Sequence, residues 1–160
     1  MNKTRYKRTI RTKGNTAKTE EERDRGIKTM VRKRIIWFSK RPPIIEQTEE
    51  LKKLLDGGDI TTDLLVKESR VKFDSMVEVT QAANIIFNAI NRALANGISP
   101  SDIIIAGSFP PALTEALQDG NRSGKEIRLM ESWSIKTERN GEPYYVHKKF
   151  CKIGVIKVQE

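Results

Sequence analysis

The sequence predicts an α+β fold: a basic N-terminal arm and helices, followed by a C-terminal antiparallel β-hairpin or small sheet packed on a central helix. Three observations predict it. Residues 1–45 carry 15 Lys and Arg against 4 Asp and Glu, and residues 46–160 carry 15 against 17, so the net +9 divides into +11 and −2. A basic segment thus precedes a nearly neutral domain. The apolar residues Met76, Val79, Ala83, Ile86, Phe87, Ile90 and Leu94 recur at spacings of three, one and four, the period of a buried helix face. Beyond residue 125 the pattern changes to β-prone runs either side of Asn140-Gly141, the strongest short-range hairpin signal.

Residues 1–18 hold seven basic residues and no acidic ones, with too few apolar residues to offset the entropy of ordering, and read as an extended arm. Residues 19–45 read as a basic amphipathic helix and a Pro-Pro linker. Thr19 with Glu22 forms a capping-box pattern, Glu20 to Asp24 load the positive end of the dipole, and Ile27, Met30, Val31, Ile35 and Phe38 make an apolar stripe. Arg41-Pro42-Pro43 stops the helix. Residues 46–160 read as one compact α+β domain.

Within that domain, residues 46–56 form a short helix stopped by Gly57-Gly58, and Thr61-Thr62-Asp63 offers a fresh helix cap. Residues 64–73 suit helix and strand equally. The central helix ends at Asn96-Gly97, and its polar Gln81, Asn84, Asn88 and Asn91 read as a face toward solvent or a partner subunit. Ser99-Pro100-Ser101-Asp102 opens another short element, and Phe109-Pro110-Pro111 leads into a turn of helix ending near Gly120. The hairpin runs from Ser132 to Thr137 and from Tyr144 to Val158, with Ile127 and Leu129 ahead of it.

Several constellations invite a chemical reading and carry little. Gly120 to Glu126 resembles a phosphate loop, but its glycines are one residue too close and no Ser or Thr follows Lys125. His147 is the only histidine, hence the only imidazole base for any nucleophile, and Cys151 lies four residues on, about 13 Å along a strand. That pair is excluded as a catalytic dyad. Asp56, Asp59, Asp63, Glu68, Asp102 and Glu131, the carboxylates a metal-dependent nuclease would need, are scattered over different elements. No metal site and no cofactor is expected. Trp133, Tyr144, Tyr145 and Phe150 among Lys136, Lys148, Lys149 and Lys152 have the mixture of rings and cations used for single strands. The simpler expectation is that Trp133, Ile135 and one tyrosine are buried; stacking on bases requires Tyr144 or Tyr145 to be exposed.

One cysteine excludes an internal disulfide, no run approaches the length of a membrane span, and the opening residues lack the apolar centre of a secretory signal. The expected place is therefore a virion or the host cytoplasm. These features lead to the expectation of a non-enzymatic structural or assembly protein of a large nucleoprotein particle, of the bacteriophage head-tail connector, neck or completion type. Its partners would be neighbouring subunits, including copies of itself, and DNA or RNA reached through the arm. Lys3, Arg5, Lys7, Arg8, Arg11, Lys13, Arg32, Lys33, Arg34, Lys148 and Lys149 are the candidate contacts to nucleic acid or to an acidic partner. Two alternatives remain: a freestanding or ribosome-associated nucleic-acid-binding protein, and a metal-dependent nuclease.

Overall fold

Ile35-Ile36-Trp37-Phe38 is a continuous apolar run, the signature of a strand covered on both faces, and this run anchors the sheet. The computed structural model describes residues 31–70, 73–119 and 124–159, and from Arg32 onward these belong to one compact unit, Arg32–Glu160. In chain order the elements are β1 (Arg32–Phe38), α1 (Ile45–Leu54), β2 (Asp59–Leu64), α2 (Met76–Ala95), β3 (Ile103–Gly107), α3 (Pro111–Gln118), β4 (Lys125–Arg139) and β5 (Glu142–Val158). Short 3-10 turns at Glu68–Arg70 and Pro100–Asp102 precede α2 and β3.

The arrangement is α+β, with five strands in the order β2-β1-β3-β4-β5. The pairs β1–β2, β1–β3 and β3–β4 are parallel, and β4–β5 is antiparallel. Parallel neighbours require crossovers, and α1, α2 and α3 supply them. Alternate side chains of β1 and β3 then enter two different cores. Ile35, Trp37, Ile104 and Ala106 pack with Leu51 of α1 and Leu55 at its C-cap, while Ile36, Phe38, Ile103 and Ile105 pack with α2 and α3. The second core is the larger: Ala82, Ile86, Ala89, Ile90 and Ala93 on α2 and Leu113 and Leu117 on α3 are wholly buried.

Three expectations are corrected. Arg32–Phe38 is a strand rather than the end of a basic helix, because a sheet buried on both faces rewards consecutive β-branched and aromatic residues more than a helical stripe does. The compact unit consequently begins at Arg32 and not at residue 46. Thr61-Thr62-Asp63 lies within β2, an exposed edge strand, rather than capping a helix. The reading of residues 1–18 as an arm and of residues 19–30 as helical lies outside the described residues, as does the Gly120–Ser123 part of the loop before β4. Among the ambiguous residues 64–73, Leu64 closes β2 and Glu68–Arg70 form the 3-10 turn.

The hairpin forms as expected, at greater length. Asn140 and Gly141 both have positive φ, 54° and 79°, as a two-residue turn matched to strand twist requires. Its base packs on the central helix through Ile127, Leu129 and Ile156. Trp133 and Ile135 are exposed rather than buried, because β4 and β5 run on past the helices that cover their base. Among the described residues no helix is long and apolar enough to cross a membrane.

Candidate functional site

The strand order reverses between β1 and β3: the chain leaves β1 toward β2 on one side and returns to β3 on the other. Crossovers diverge at such a point, so a crevice opens beyond the carboxyl ends of the two strands, where α/β sheets commonly bind ligands. Here a cleft of about 1170 Å³ occupies that position. Phe38, Ser39, Lys40 and Arg41 leave β1 along it, and Gly107, Ser108 and Pro110 leave β3. Gln47 of α1 and Phe73 contribute further lining, and Ser132, Trp133, Ser134, Tyr145 and His147 come from the hairpin.

Two local features hold the floor. Gly107 is paired with Phe38, has φ of 145°, and leaves no room for a side chain: a Cβ there would lie 1.9 Å from the Phe38 carbonyl oxygen. The Ser108 N–H donates to that same oxygen at 3.0 Å. The Trp37 indole Nε1–H donates to the Arg41 carbonyl oxygen at 2.6 Å, tying the loop that carries Lys40 and Arg41 to the strand end. Both cations are exposed at the cleft.

A chain of polar side chains crosses from α1 to the hairpin. The Glu50 carboxylate accepts from His147 Nε2 at 2.8 Å through one oxygen and from the Phe150 backbone N–H at 2.7 Å through the other. His147 Nδ1 lies 2.7 Å from Ser132 Oγ, and the His147 side chain is only 5% exposed. Its ring packs on Phe150, centroids 4.8 Å apart, and Phe150 in turn meets Trp37 edge-on. A carboxylate only accepts, so Nε2 carries a hydrogen and, in the neutral ring, the Nδ1 lone pair faces the serine. Gln47 fixes the remaining ambiguity. Its Oε1 accepts from the Ile44 N–H at 2.9 Å at the N-cap of α1, which turns its amide nitrogen toward Ser132 Oγ at 3.3 Å. Ser134 Oγ lies 3.3 Å from Ser132 Oγ.

The hairpin register makes this assembly. Ser134 pairs with His147 across the ladder, and Ser132 is two residues along β4. Register shifts after Leu129 and after Trp133 add bulges, devices that re-aim side chains beside functional sites. Trp133 and Tyr145 are 51% and 69% exposed, so the exposure that stacking requires is met. Lys149 Nζ sits 5.8 Å from the Trp133 ring centroid, whereas the half-buried Tyr144 is covered by the Arg139 guanidinium at 5.0 Å.

The residues singled out in the sequence divide into three groups. Lys3, Arg5, Lys7, Arg8, Arg11 and Lys13 lie outside the described residues. Arg32, Lys33 and Arg34 stand at the start of β1, away from the cleft at its other end, and are engaged within the fold. Arg32 donates to the Asn96 carbonyl, Lys33 to the Leu55 carbonyl, and Arg34 pairs with Asp63 at 3.0 Å. Lys148 and Lys149 are exposed on β5 next to His147. The carboxylates do not gather: Asp63 faces Arg34 and Asp102 lies 3.9 Å from Lys33. Among the described residues no three His, Cys, Asp or Glu side chains come together as metal ligands. His147 and Cys151 both line the cleft, yet the partners of His147 are Glu50 and Ser132.

Sequence reasoning missed Lys40, Arg41, Glu50, Gln47 and Ser132. Glu50 and His147 are 97 residues apart, a separation that carries no motif, and a single Ser among many offers no local signal. Only the uniqueness of His147 pointed toward the network. The fold and site define a mixed α+β domain with a switch-point cleft. Comparison of the chain with protein-family models, curated proteins and solved structures finds no match.

Proposed function

We propose that this domain binds single-stranded nucleic acid in the switch-point cleft, with bases stacked on Trp133 and Tyr145 and phosphates held by Lys40 and Arg41. The observation that carries the reading is the convergence of two exposed aromatic rings from the hairpin and two exposed cations from the β1 loop on one cleft. Rings supply sequence-tolerant stacking, and cations neutralise the backbone as counterions leave. The cleft volume, about 1170 Å³, exceeds the usual span for a drug-sized molecule and suits a strand of a few nucleotides.

Fluorescence anisotropy of labelled single-stranded oligonucleotides tests the reading. Trp133→Ala and Tyr145→Ala should each weaken binding by about 1–3 kcal/mol, the value of one base–ring stack. Lys40→Ala and Arg41→Ala should each lower the slope of log K against log salt by roughly 0.7, the increment for one phosphate contact of a single strand. Affinity unchanged by all four substitutions would refute the cleft as the binding surface.

The expectation of an assembly subunit keeps one supporting observation. Ile135 and Val146, cross-strand partners on the hairpin, are exposed apolar residues adjacent to Trp133 and Tyr145. An apolar patch of this kind suits docking against another subunit. Sedimentation of the full chain with Ile135→Lys tests it: loss of an oligomer would favour the subunit reading, and a monomer in both forms would count against it.

A further inference from the structure

Ser132, His147 and Glu50 have the connectivity of an activated nucleophile: a hydroxyl within hydrogen-bond reach of an imidazole that a carboxylate orients. We infer that Ser132 is the nucleophile of a phosphodiester hydrolase site in the cleft, with His147 as its general base and Glu50 as the positioning residue. The substrate class rests on the proposed binding of a single strand, since that reading puts phosphodiesters beside Ser132.

The hydrogen-bond directions favour chemistry over simple packing. Gln47 presents only its amide N–H to Ser132 Oγ, because its oxygen is committed to the Ile44 N–H. Ser132 therefore accepts from Gln47, and its own O–H can point to His147 Nδ1 at 2.7 Å. Glu50 is held in turn by the Phe150 N–H, so the imidazole is fixed from α1 and β5 together. The nearly buried ring thus meets the cleft through a half-buried serine that lines it. The orientation differs from the familiar serine triad in using Nδ1 toward the nucleophile and Nε2 toward the carboxylate.

In the first step Ser132 Oγ attacks phosphorus as its proton passes to His147 Nδ1. The Oγ–P bond forms and the P–O bond to the leaving nucleoside breaks in line with it, so the leaving oxygen, on the far side of phosphorus from His147, takes its proton from solvent. In the second step water attacks the phosphoserine diester opposite Oγ and releases a proton to solvent, while the His147 imidazolium still holds the proton taken from Ser132. The Oγ–P bond breaks and Ser132 Oγ recovers that proton. The sum is one phosphodiester plus water giving one monoester and one hydroxyl, with no oxidant, reductant or further reactant. The Glu50 carboxylate stabilises the imidazolium that stands between the two steps, and Lys40 and Arg41 offset charge on the non-bridging oxygens.

The test uses the full chain and two readouts. A fluorophosphonate probe, a phosphorus electrophile with a fluoride leaving group, should label one residue, mapped by peptide mass spectrometry to Ser132. Labelled single-stranded RNA and DNA oligonucleotides, incubated with EDTA, should show turnover of at least one of them. Ser132→Ala should abolish labelling, cut turnover by about 10³-fold or more, and leave oligonucleotide affinity within roughly twofold. His147→Gln should slow labelling by about 10²–10⁴-fold, the usual worth of a general base. Glu50→Gln should lower kcat with little change in KM, and Glu50→Asp should recover part of it, a pattern that a packing role would not produce. Ser132→Ala removes a single oxygen, so it remains informative if the histidine variant fails to fold. Wild-type protein that binds the oligonucleotides but is neither labelled nor active would overturn this inference and leave the binding reading standing. Labelling at Ser132 without turnover of either strand would overturn the phosphodiester assignment. Turnover undiminished in Ser132→Ala would overturn the nucleophile.

Discussion

Gly107 bears the cleft's tightest constraint. With φ of 145° and its Cα against the Phe38 carbonyl, it has neither the backbone freedom nor the space for a side chain. Gly107→Ala combines backbone strain with overpacking against main chain, and should destabilise the domain by about 2–5 kcal/mol. Urea unfolding measures it, and a midpoint shift of less than a few tenths of a molar would contradict the geometry. His147 is a different case. As the only imidazole in the chain it stands out in the sequence, but its partners Glu50 and Ser132 are not legible there. Three residues that meet only through a crossover helix and a bulged hairpin leave no spacing to read.

At the scale of elements, what was legible followed from strong periodicity or turn chemistry. The central helix, Met76–Ala95, has both a clear apolar stripe and a stop at Asn96-Gly97, and the Asn140-Gly141 turn has the residues that two positive φ values demand. β1 departs from the helical expectation because Ile27, Met30, Val31, Ile35 and Phe38 fit a helix while the consecutive Ile35 to Phe38 run fits a strand. Parallel pairing on both sides decided between them, and long-range pairing is invisible to a local pattern. The exposure of Trp133 and Ile135 departs from expectation for a related reason: alternation specifies two faces but not how far a strand extends beyond its covering helices. Packing of the central helix gives a direct check. Ile86 is wholly buried in the larger core, so Ile86→Ala should cost about 2–5 kcal/mol in chemical denaturation while leaving the cleft's oligonucleotide affinity intact in the folded fraction. A cost under about 1 kcal/mol would mean that α2 does not pack against the sheet as described.

For the whole molecule, the charge asymmetry and the cleft make separate demands on a nucleic acid. Residues 1–45 carry a net +11, yet among the described cations of that segment, Arg32, Lys33, Arg34, Lys40 and Arg41, only Lys40 and Arg41 line the cleft. Arg32, Lys33 and Arg34 are engaged in holding β1 to its surroundings. A binding curve alone would therefore merge non-specific attraction by the basic segment with occupation of the cleft. The most direct measurement is photocrosslinking of the full chain to single strands containing 5-iodouridine, with the attached residues mapped by mass spectrometry. The account predicts adducts on Trp133 and Tyr145 that persist as salt is raised and disappear when unlabelled strand is added in excess. Adducts confined to residues 1–30, with the cleft aromatics unmodified, would contradict it.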